Sequence, residues 1–269
     1  LCVWCQLMWM CISSYLFFDR GGDHRDLKVR CRRQRQVFIR DRGSRAGNTT
    51  LGLSLKYKLK AITLYSQLLL DDFRVGEMTS SNGWWANKFG FQIGAKYYNA
   101  FKVENLFLQA EFNAVRPYTY SHDELNLNFG HNNQPLAHLW GANFREAVGI
   151  MNYTKNRWFA NAKIVVGKKG FDFADGTDNL SFGGDVFADN DDRGSDYGNT
   201  IGQGNVANVF IGDLQLGYLV NPATNLKLFG GLTYRKFDPT ALAKGFSASN
   251  STWISFGLKT DVFNWYFDF

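Results

Sequence analysis

The chain has 269 residues, 45% of them hydrophobic and 20% charged, which excludes an intrinsically disordered protein. It contains 24 Phe and 27 Gly but only 4 Pro, and this composition favours a large antiparallel β structure over helices. Ten basic and four acidic residues fall within residues 1–47 and account for the whole formal charge of +6. The rest of the chain is therefore neutral overall and lacks the basic stripe of a nucleic-acid-binding protein.

The first 47 residues differ in character from the rest. An uncharged apolar stretch of 18 residues is followed by an Arg-rich stretch with a single Lys. Three interpretations stay open: a membrane anchor or signal peptide, a basic arm for nucleic acid or lipid headgroups, and a misread start that is not native to the chain, which we favour. All four cysteines lie here, at positions 2, 5, 11 and 31, and the cysteine-free remainder suits an oxidising compartment. The single CxxC of Cys2 and Cys5 lacks the second pair that a zinc site needs.

From residue 48 onward, apolar and polar residues alternate with a period of two. In the first such segment Leu51, Leu53 and Leu55 share one face and Ser54 and Lys56 share the other. This pattern is typical of strands with one apolar and one polar face. We predict about nine strands, most of them close to the ~9–11 residues that a tilted strand needs to cross a bilayer. They span residues 51–59, 61–72, 88–98, 105–114, 143–153, 157–167, 207–220, 226–236 and 253–259.

The predicted connections alternate between short and long. Short ones lie near residue 60 and at 99–104, 154–156 and 221–224, and long ones at 73–87, 117–142, 169–205 and 237–249. All four prolines fall in connections, as the ladder of a sheet requires. Short periplasmic turns and long external loops are typical of an outer-membrane barrel, whereas a soluble sandwich would pack its apolar faces inward. Aromatic residues near the predicted strand ends suit interfacial girdles: Tyr57, Tyr97, Trp158, Tyr234 and Trp253.

We therefore predict an all-β fold, an antiparallel transmembrane β-barrel of which residues 48–269 form the carboxyl-terminal part. Bacterial barrels normally have an even number of strands, so an odd count here predicts further strands before residue 48. Residues 1–47 would form an irregular segment.

The long connection at 117–142 holds the most specific candidate site. It contains His122, His131 and His138, but their spacing matches no standard zinc pattern, and we predict no metal. Polar side chains that fold the loop on itself are one explanation. A hydrogen-bonding surface for carbohydrate is the functional one. Its candidate ligand-binding residues combine rings with amides: Tyr118, Tyr120, His122, Asn132, Gln134 and Trp140.

Acidic residues elsewhere give weaker signals. Four of them in the 169–205 connection could bind calcium, but Arg193 stands where a calcium loop needs Asp or Asn, so we favour a mobile, solvated acidic loop. They are Asp189, Asp191, Asp192 and Asp196. Glu111 and Glu146 are single carboxylates that we expect to oppose a lumenal Lys or Arg, such as Arg145 or Lys163.

The sequence contains no Walker loop, nucleophile elbow or HExxH motif, so we predict that the protein is not an enzyme and has no cofactor.

The chain ends in "DVFNWYFDF", where aromatic residues follow the last predicted strand. Aromatic rings are stable at a membrane interface. This ending resembles the signal that the barrel-assembly machinery reads in outer-membrane proteins. The predicted signal residues are Trp265, Tyr266, Phe267 and Phe269.

Residues 48–269 resemble a family of Bacteroidota outer-membrane proteins, the gliding-motility proteins of the RemB type, which are related to the capsule-assembly protein Wzi. The resemblance is most specific in "RPYTYSH", "NFGHNNQPLAH" and "GANFRE", and it extends to the ending "STWISFGLKTDVFNWYFDF". It implies a large barrel in the bacterial outer membrane. It also implies a role in surface polysaccharide assembly or attachment, in adhesion or in gliding.

These observations predict a non-enzymatic barrel at the cell surface. Its expected partners are outer-membrane lipid, the barrel-assembly machinery, and exopolysaccharide or surface proteins, with no role for nucleic acid. A passive porin is the alternative, because the polar faces of the strands would line a wet lumen. A lipid-modifying barrel enzyme would need a serine- or histidine-based site facing the membrane, which the sequence does not offer.

Overall fold

A computed structural model describes residues 17–20, 49–71, 76–77, 82–123, 127–173, 180–240 and 247–260. Their architecture is all-β, with one large antiparallel sheet and a small two-stranded hairpin. The nine strands predicted from residue 48 onward are confirmed. The twelve observed strands, β1 to β12, are Phe17–Arg20, Thr49–Leu59, Ile62–Leu70, Phe89–Tyr98, Leu106–Val115, Gly130–His131, Gln134–Pro135, Phe144–Lys155, Trp158–Phe171, Asn205–Asn221, Leu226–Pro239 and Ser249–Lys259.

The large sheet follows chain order, β1-β2-β3-β4-β5-β8-β9-β10-β11-β12, with every neighbour antiparallel. The four-residue β1 pairs with β2, although no strand is predicted in that part of the chain. Among the described residues the first and last strands of the sheet do not pair with each other, so the sheet is not closed. The antiparallel all-β class is confirmed, and closure into a barrel remains a prediction.

The strand ends agree with the alternation of short and long connections. Two-residue turns join β2 to β3 and β8 to β9, with Lys60 at φ 45° and Asn156 at φ 55°. β9 extends further than predicted, to Phe171, and β10 begins earlier than predicted, at Asn205, because their residues pair with each other along the added length.

No α-helix within the described ranges has both the length and the apolar character of a membrane-spanning helix.

One side of the sheet, the apolar face, is covered by large hydrophobic side chains. Side chains alternate along a strand, and directly paired residues share a face. The registers therefore place the aliphatic and aromatic residues of all nine longer strands together. Representative members, many of them exposed, are Leu55, Leu64, Ile93, Phe112, Ile164, Phe210, Leu214, Leu232, Ile254 and Phe256. Trp253 is an exception to the predicted girdle, because it lies on the opposite side, directly across from Thr233.

The other side of the sheet, the polar face, carries amides, carboxylates, hydroxyls and lysines among some Val, Ile and Phe residues. One continuous row of directly paired residues on this face is Ser54, Gln67, Gln92, Asn113 and Glu146. A row nearer the short turns is Lys58, Thr63, Lys96, Gln109, Ile150, Lys163, Asp213 and Thr233.

The long connections fold together at one end of the sheet into a cap, comprising the described parts of residues 71–88, 116–143 and 172–204. The hydrophobic core lies there, between the cap and the adjoining polar face. Its buried members are Val115, Tyr120, Ala142, Phe144 and Val186, with Leu69, Phe129, Trp140 and Phe187 packed against them.

Candidate functional site

Hydrogen bonds from Arg116 tie three long connections of the cap together. Its guanidinium donates to the backbone carbonyls of Trp84 and Asn199, both at 3.2 Å. Burial lowers the pKa of this guanidinium from its ordinary value. The same segments also pair through backbone bonds, including Trp85 N–H to Asp196 O at 2.9 Å. The cap is thus a folded unit that is held together by side-chain and backbone hydrogen bonds between its segments.

The predicted ligand residues Tyr118 and Tyr120 lie inside the cap. Their side chains are 2% and 4% exposed. The Tyr118 hydroxyl donates to Ser181 O at 2.8 Å, and burial raises the pKa of Tyr118 to about 12. Tyr120 packs on Phe129 with ring centroids 5.8 Å apart, and burial raises its pKa as well. Both rings hold the cap together. Tyr118 is not available to a ligand as the cap is folded, whereas Tyr120 forms part of the wall of the cavity beneath the cap.

The other four predicted ligand residues remain reachable from solvent. Asn132 and Gln134 are exposed at the tip of the β6–β7 hairpin, where Asn132 and Asn133 have the positive φ of a tight two-residue turn. His122 is half-buried and contacts Asp123. Trp140 is half-buried and meets Phe144 edge-on, with centroids 5.5 Å apart. The predicted set therefore divides into one fully enclosed tyrosine, Tyr118, one buried tyrosine at a cavity wall, Tyr120, and four accessible residues.

Beneath the cap lies a cavity of about 640 Å³, which the sequence alone does not locate. The polar face lines it with Ser54, Gln67 and Gln92. The cap contributes Leu136 and His138. A cavity of this size with converging polar groups on one wall and apolar groups on the other is typical of a small-ligand or sugar-unit site.

Glu111 is the centre of a polar network in the wall next to this cavity. It accepts hydrogen bonds from the Tyr65 hydroxyl, from Gln92 at 2.9 Å and from Asn113 at 2.9 Å. Gln109 donates to it at 3.3 Å. Among the described residues the carboxylate is thus held by four neutral donors and by no cation. A Lys or Arg opposite Glu111 across the lumen stays a prediction, because the described sheet is not closed.

Glu146 extends this network to the cap. It accepts from Asn113 at 2.8 Å and pairs with His138 Nε2 at 2.9 Å. His138 Nδ1 accepts from the Trp140 backbone N–H at 3.1 Å, so Nε2 is the nitrogen that carries the proton towards Glu146. The neighbouring Arg145 points to the apolar face and does not pair with Glu146, so the expectation that Arg145 opposes Glu146 is wrong.

Asn113 joins the two carboxylates through a single amide nitrogen. Its side chain is 6% exposed, and its Oδ1 atom has no hydrogen-bond partner among the described residues. The amide orientation is fixed, because the two glutamates accept only from the nitrogen. The network therefore offers acceptors and one unused buried carbonyl, an arrangement suited to hydroxyl or amine donors of a ligand.

The acidic segment at 189–196 is organised by Arg193. Arg193 contacts Asp191 at 3.1 Å and Asp196 at 2.6 Å and lies 4.2 Å from the Trp85 ring centroid. Burial opposes the charge of Arg193, but the two aspartates outweigh it and raise its pKa. Asp189 caps the short 3-10 turn by accepting from Asp191 N–H at 2.9 Å. The aspartates thus serve the cap, and within the described part of the chain no group of three His, Cys, Asp or Glu side chains could hold a metal ion.

Sequence reasoning names Glu111, Glu146 and His138 but not their grouping, and it misses Tyr65, Gln92, Gln109 and Asn113 as site residues. The usable signal is the period of two, which assigns all six strand residues outside the cap to the polar face. Their grouping depends on strand register, which the pattern of a single strand does not contain. The predicted signal residues Trp265, Tyr266, Phe267 and Phe269 lie outside the described residues.

Comparisons with protein-family models, with curated proteins and with solved structures gave no match.

Proposed function

We propose that the protein is a non-enzymatic β-barrel component of the bacterial outer membrane that binds surface polysaccharide at its capped end. In that setting it would support capsule or slime assembly or attachment, and through them adhesion or gliding. The observation on which the proposal depends is the exposed apolar face of the sheet.

That face is unusual for a water-exposed surface. Ile93 is 57% exposed, Leu216 52% and Phe256 88%, and among the described residues no second sheet packs on them. Soluble monomers rarely expose a contiguous apolar surface of this extent. Lipid would cover it favourably, at about 25 cal/mol for each Å² removed from water. Strands of 9 to 12 residues, such as β3, β4 and β8, also suit a bilayer crossing.

The cavity under the cap supports the polysaccharide part of the proposal. Sugars present many hydroxyl groups, and this wall of the cavity presents amide and hydroxyl side chains, with the glutamates behind them. Asn132 and Gln134 add accessible amides on the cap itself. The amides, hydroxyls and carboxylates at the cavity are hydrogen-bonding groups of the kind that bind sugars, and this supports a binding function.

The test fills the cavity without removing any hydrogen bond described for the sheet. Ser54→Phe places a ring in the cavity, and Ser66→Phe places the same ring on the apolar face of the next strand as the matched control. We expect Ser54→Phe to weaken binding of purified capsule or slime polysaccharide at least about tenfold, which corresponds to ~1.4 kcal/mol. Binding that survives Ser54→Phe unchanged would remove the cavity from the proposal.

Membrane insertion needs a separate measurement. We expect the purified chain to require detergent to stay monodisperse. A monodisperse, folded protein in plain buffer would contradict the outer-membrane assignment.

A passive channel is the second candidate, and charges on the polar face favour it. Lys56, Lys58 and Lys163 are exposed there without an ion pair to another described residue. A steady anion-selective current in planar bilayers would support the channel, whereas absence of current would favour a binding protein.

A further inference from the structure

A cluster of basic residues lies on the apolar face near the cap. Arg145 on β8 is directly opposite Lys168 on β9, and Lys168 is directly opposite Asn208 on β10. Lys236 on β11 lies in the next row towards the short turns, opposite Phe210. By strand parity, all of these side chains share the face that is otherwise covered by aliphatic and aromatic groups.

The charges of this cluster are not balanced within the described structure. Lys236 is 3.5 Å from Asp238, but neither Arg145 nor Lys168 forms an ion pair with another described residue. Like charges directly opposite each other on neighbouring strands are destabilising. The pairing of Arg145 with Lys168 therefore favours the binding of an anion from outside the chain.

A groove joins the basic residues to the hydrophobic surface. It has a volume of about 400 Å³ and is lined by Arg145, Lys168 and Lys236 together with Phe112 and Phe210. Two carboxylates also line it: Asp238, which pairs with Lys236, and Glu146, which pairs with His138 on the polar face. Towards the short turns the same face continues with apolar side chains. Those next in the paired rows are Ile164, Leu214 and Leu232. The groove thus presents cations at one end and an apolar track at the other.

We infer that this groove binds the phosphate headgroup of an anionic membrane lipid, with the acyl chains lying along the apolar track. The inference depends on the proposed membrane location. In a membrane this face contacts lipid, so the anion next to the basic residues is a lipid headgroup. Basic side chains near a membrane surface attract anionic headgroups. Free phosphate shares the headgroup chemistry but makes no use of Phe112, Phe210 and the residues below them.

The test uses the full chain in a neutral detergent and measures lipid retention by native mass spectrometry. The probes are phosphatidylglycerol, zwitterionic phosphatidylcholine and inorganic phosphate. The variant Arg145→Gln/Lys168→Gln removes two charges from the groove. Lys56→Gln/Lys58→Gln removes the same charge from the polar face of β2 and is the matched control.

The wild-type protein and the control should retain phosphatidylglycerol in preference to phosphatidylcholine. Each basic residue near a headgroup changes affinity about fivefold, so the groove variant should retain phosphatidylglycerol about 30-fold less well. Three results would each overturn the lipid site. They are equal retention of phosphatidylglycerol and phosphatidylcholine, equal loss of phosphatidylglycerol in both double variants, and full displacement of phosphatidylglycerol by inorganic phosphate at the same concentration as the lipid. If the protein gives one of these results but still requires detergent, only the lipid site is overturned and the proposed function stands. If the protein is stable in plain buffer, the membrane location itself is overturned.

Discussion

Removal of the Asn143 side chain should open the cap. Asn143 is fully buried, and its amide nitrogen donates to Phe182 O at 3.2 Å and to Gln203 O at 2.9 Å. Its amide oxygen accepts from Gly202 N–H at 2.7 Å and from Gln203 N–H at 3.2 Å. One side chain thus satisfies four backbone groups of the connection that precedes β10.

The magnitude follows from these four bonds. At about 1 kcal/mol net for each bond, Asn143→Ala should destabilise the cap by roughly 3–4 kcal/mol. This corresponds to a change of about 150- to 900-fold in the opening equilibrium. The substitution also places Ala at φ 57°, which adds strain of about 1 kcal/mol.

Asn132→Ala separates the strain from the hydrogen bonds. Asn132 has φ 48°, and its exposed side chain lies at the hairpin tip. Hydrogen exchange of peptides from residues 180–205 should accelerate by two or more orders of magnitude in Asn143→Ala and change little in Asn132→Ala. Similar exchange in the two variants would refute the view that Asn143 holds the cap closed.

Two further predictions concern the cap. Burial raises the pKa of Asp172, so its contribution to stability is complete below its unfolded pKa of about 4 and is lost as the pH rises through the folded value. Asp172→Asn keeps an acceptor for the Phe182 N–H but carries no charge. The cap of this variant should therefore resist protease better than the wild-type cap at pH 8, and no better at pH 4. The same difference between variant and wild type at both pH values would contradict this. Gly183→Ala should destabilise the cap by at least about 2 kcal/mol, because φ is 73° and the new Cβ would lie 2.4 Å from Tyr118 N. Gly198→Ala has similar strain at φ 79° with open space around it, so equal thermal shifts in detergent for the two variants would count against the steric argument.

The sequence predicted the sheet well because the signals for a strand are local. A strand exposes alternate residues to opposite sides, so a segment such as 89–98 reveals its element and its two faces without reference to any neighbour. Proline lacks an N–H donor, which confines it to connections or to strand ends such as Pro239, the last residue of β11. The turn at Asn156 is also encoded locally, because Asn tolerates the positive φ that this residue adopts.

The candidate site was predicted less well because its residues meet through register and loop packing. Glu111, Asn113 and Glu146 group only when β5 and β8 pair in one register. Tyr118 and Tyr120 combine a ring with a hydroxyl, which suits a sugar site as well as a core. Only the packing of the cap shows that Tyr118 is enclosed and that Tyr120 packs in the core beside the cavity.

By itself, the sequence determined that this protein is built from antiparallel strands with one apolar and one polar side, because a period of two is a property of each strand alone. The tertiary structure decided which polar groups converge, where the cavity lies and which aromatic rings are buried. Those features depend on contacts between residues far apart in the chain, such as Arg116 with Asn199, and no local pattern encodes such contacts.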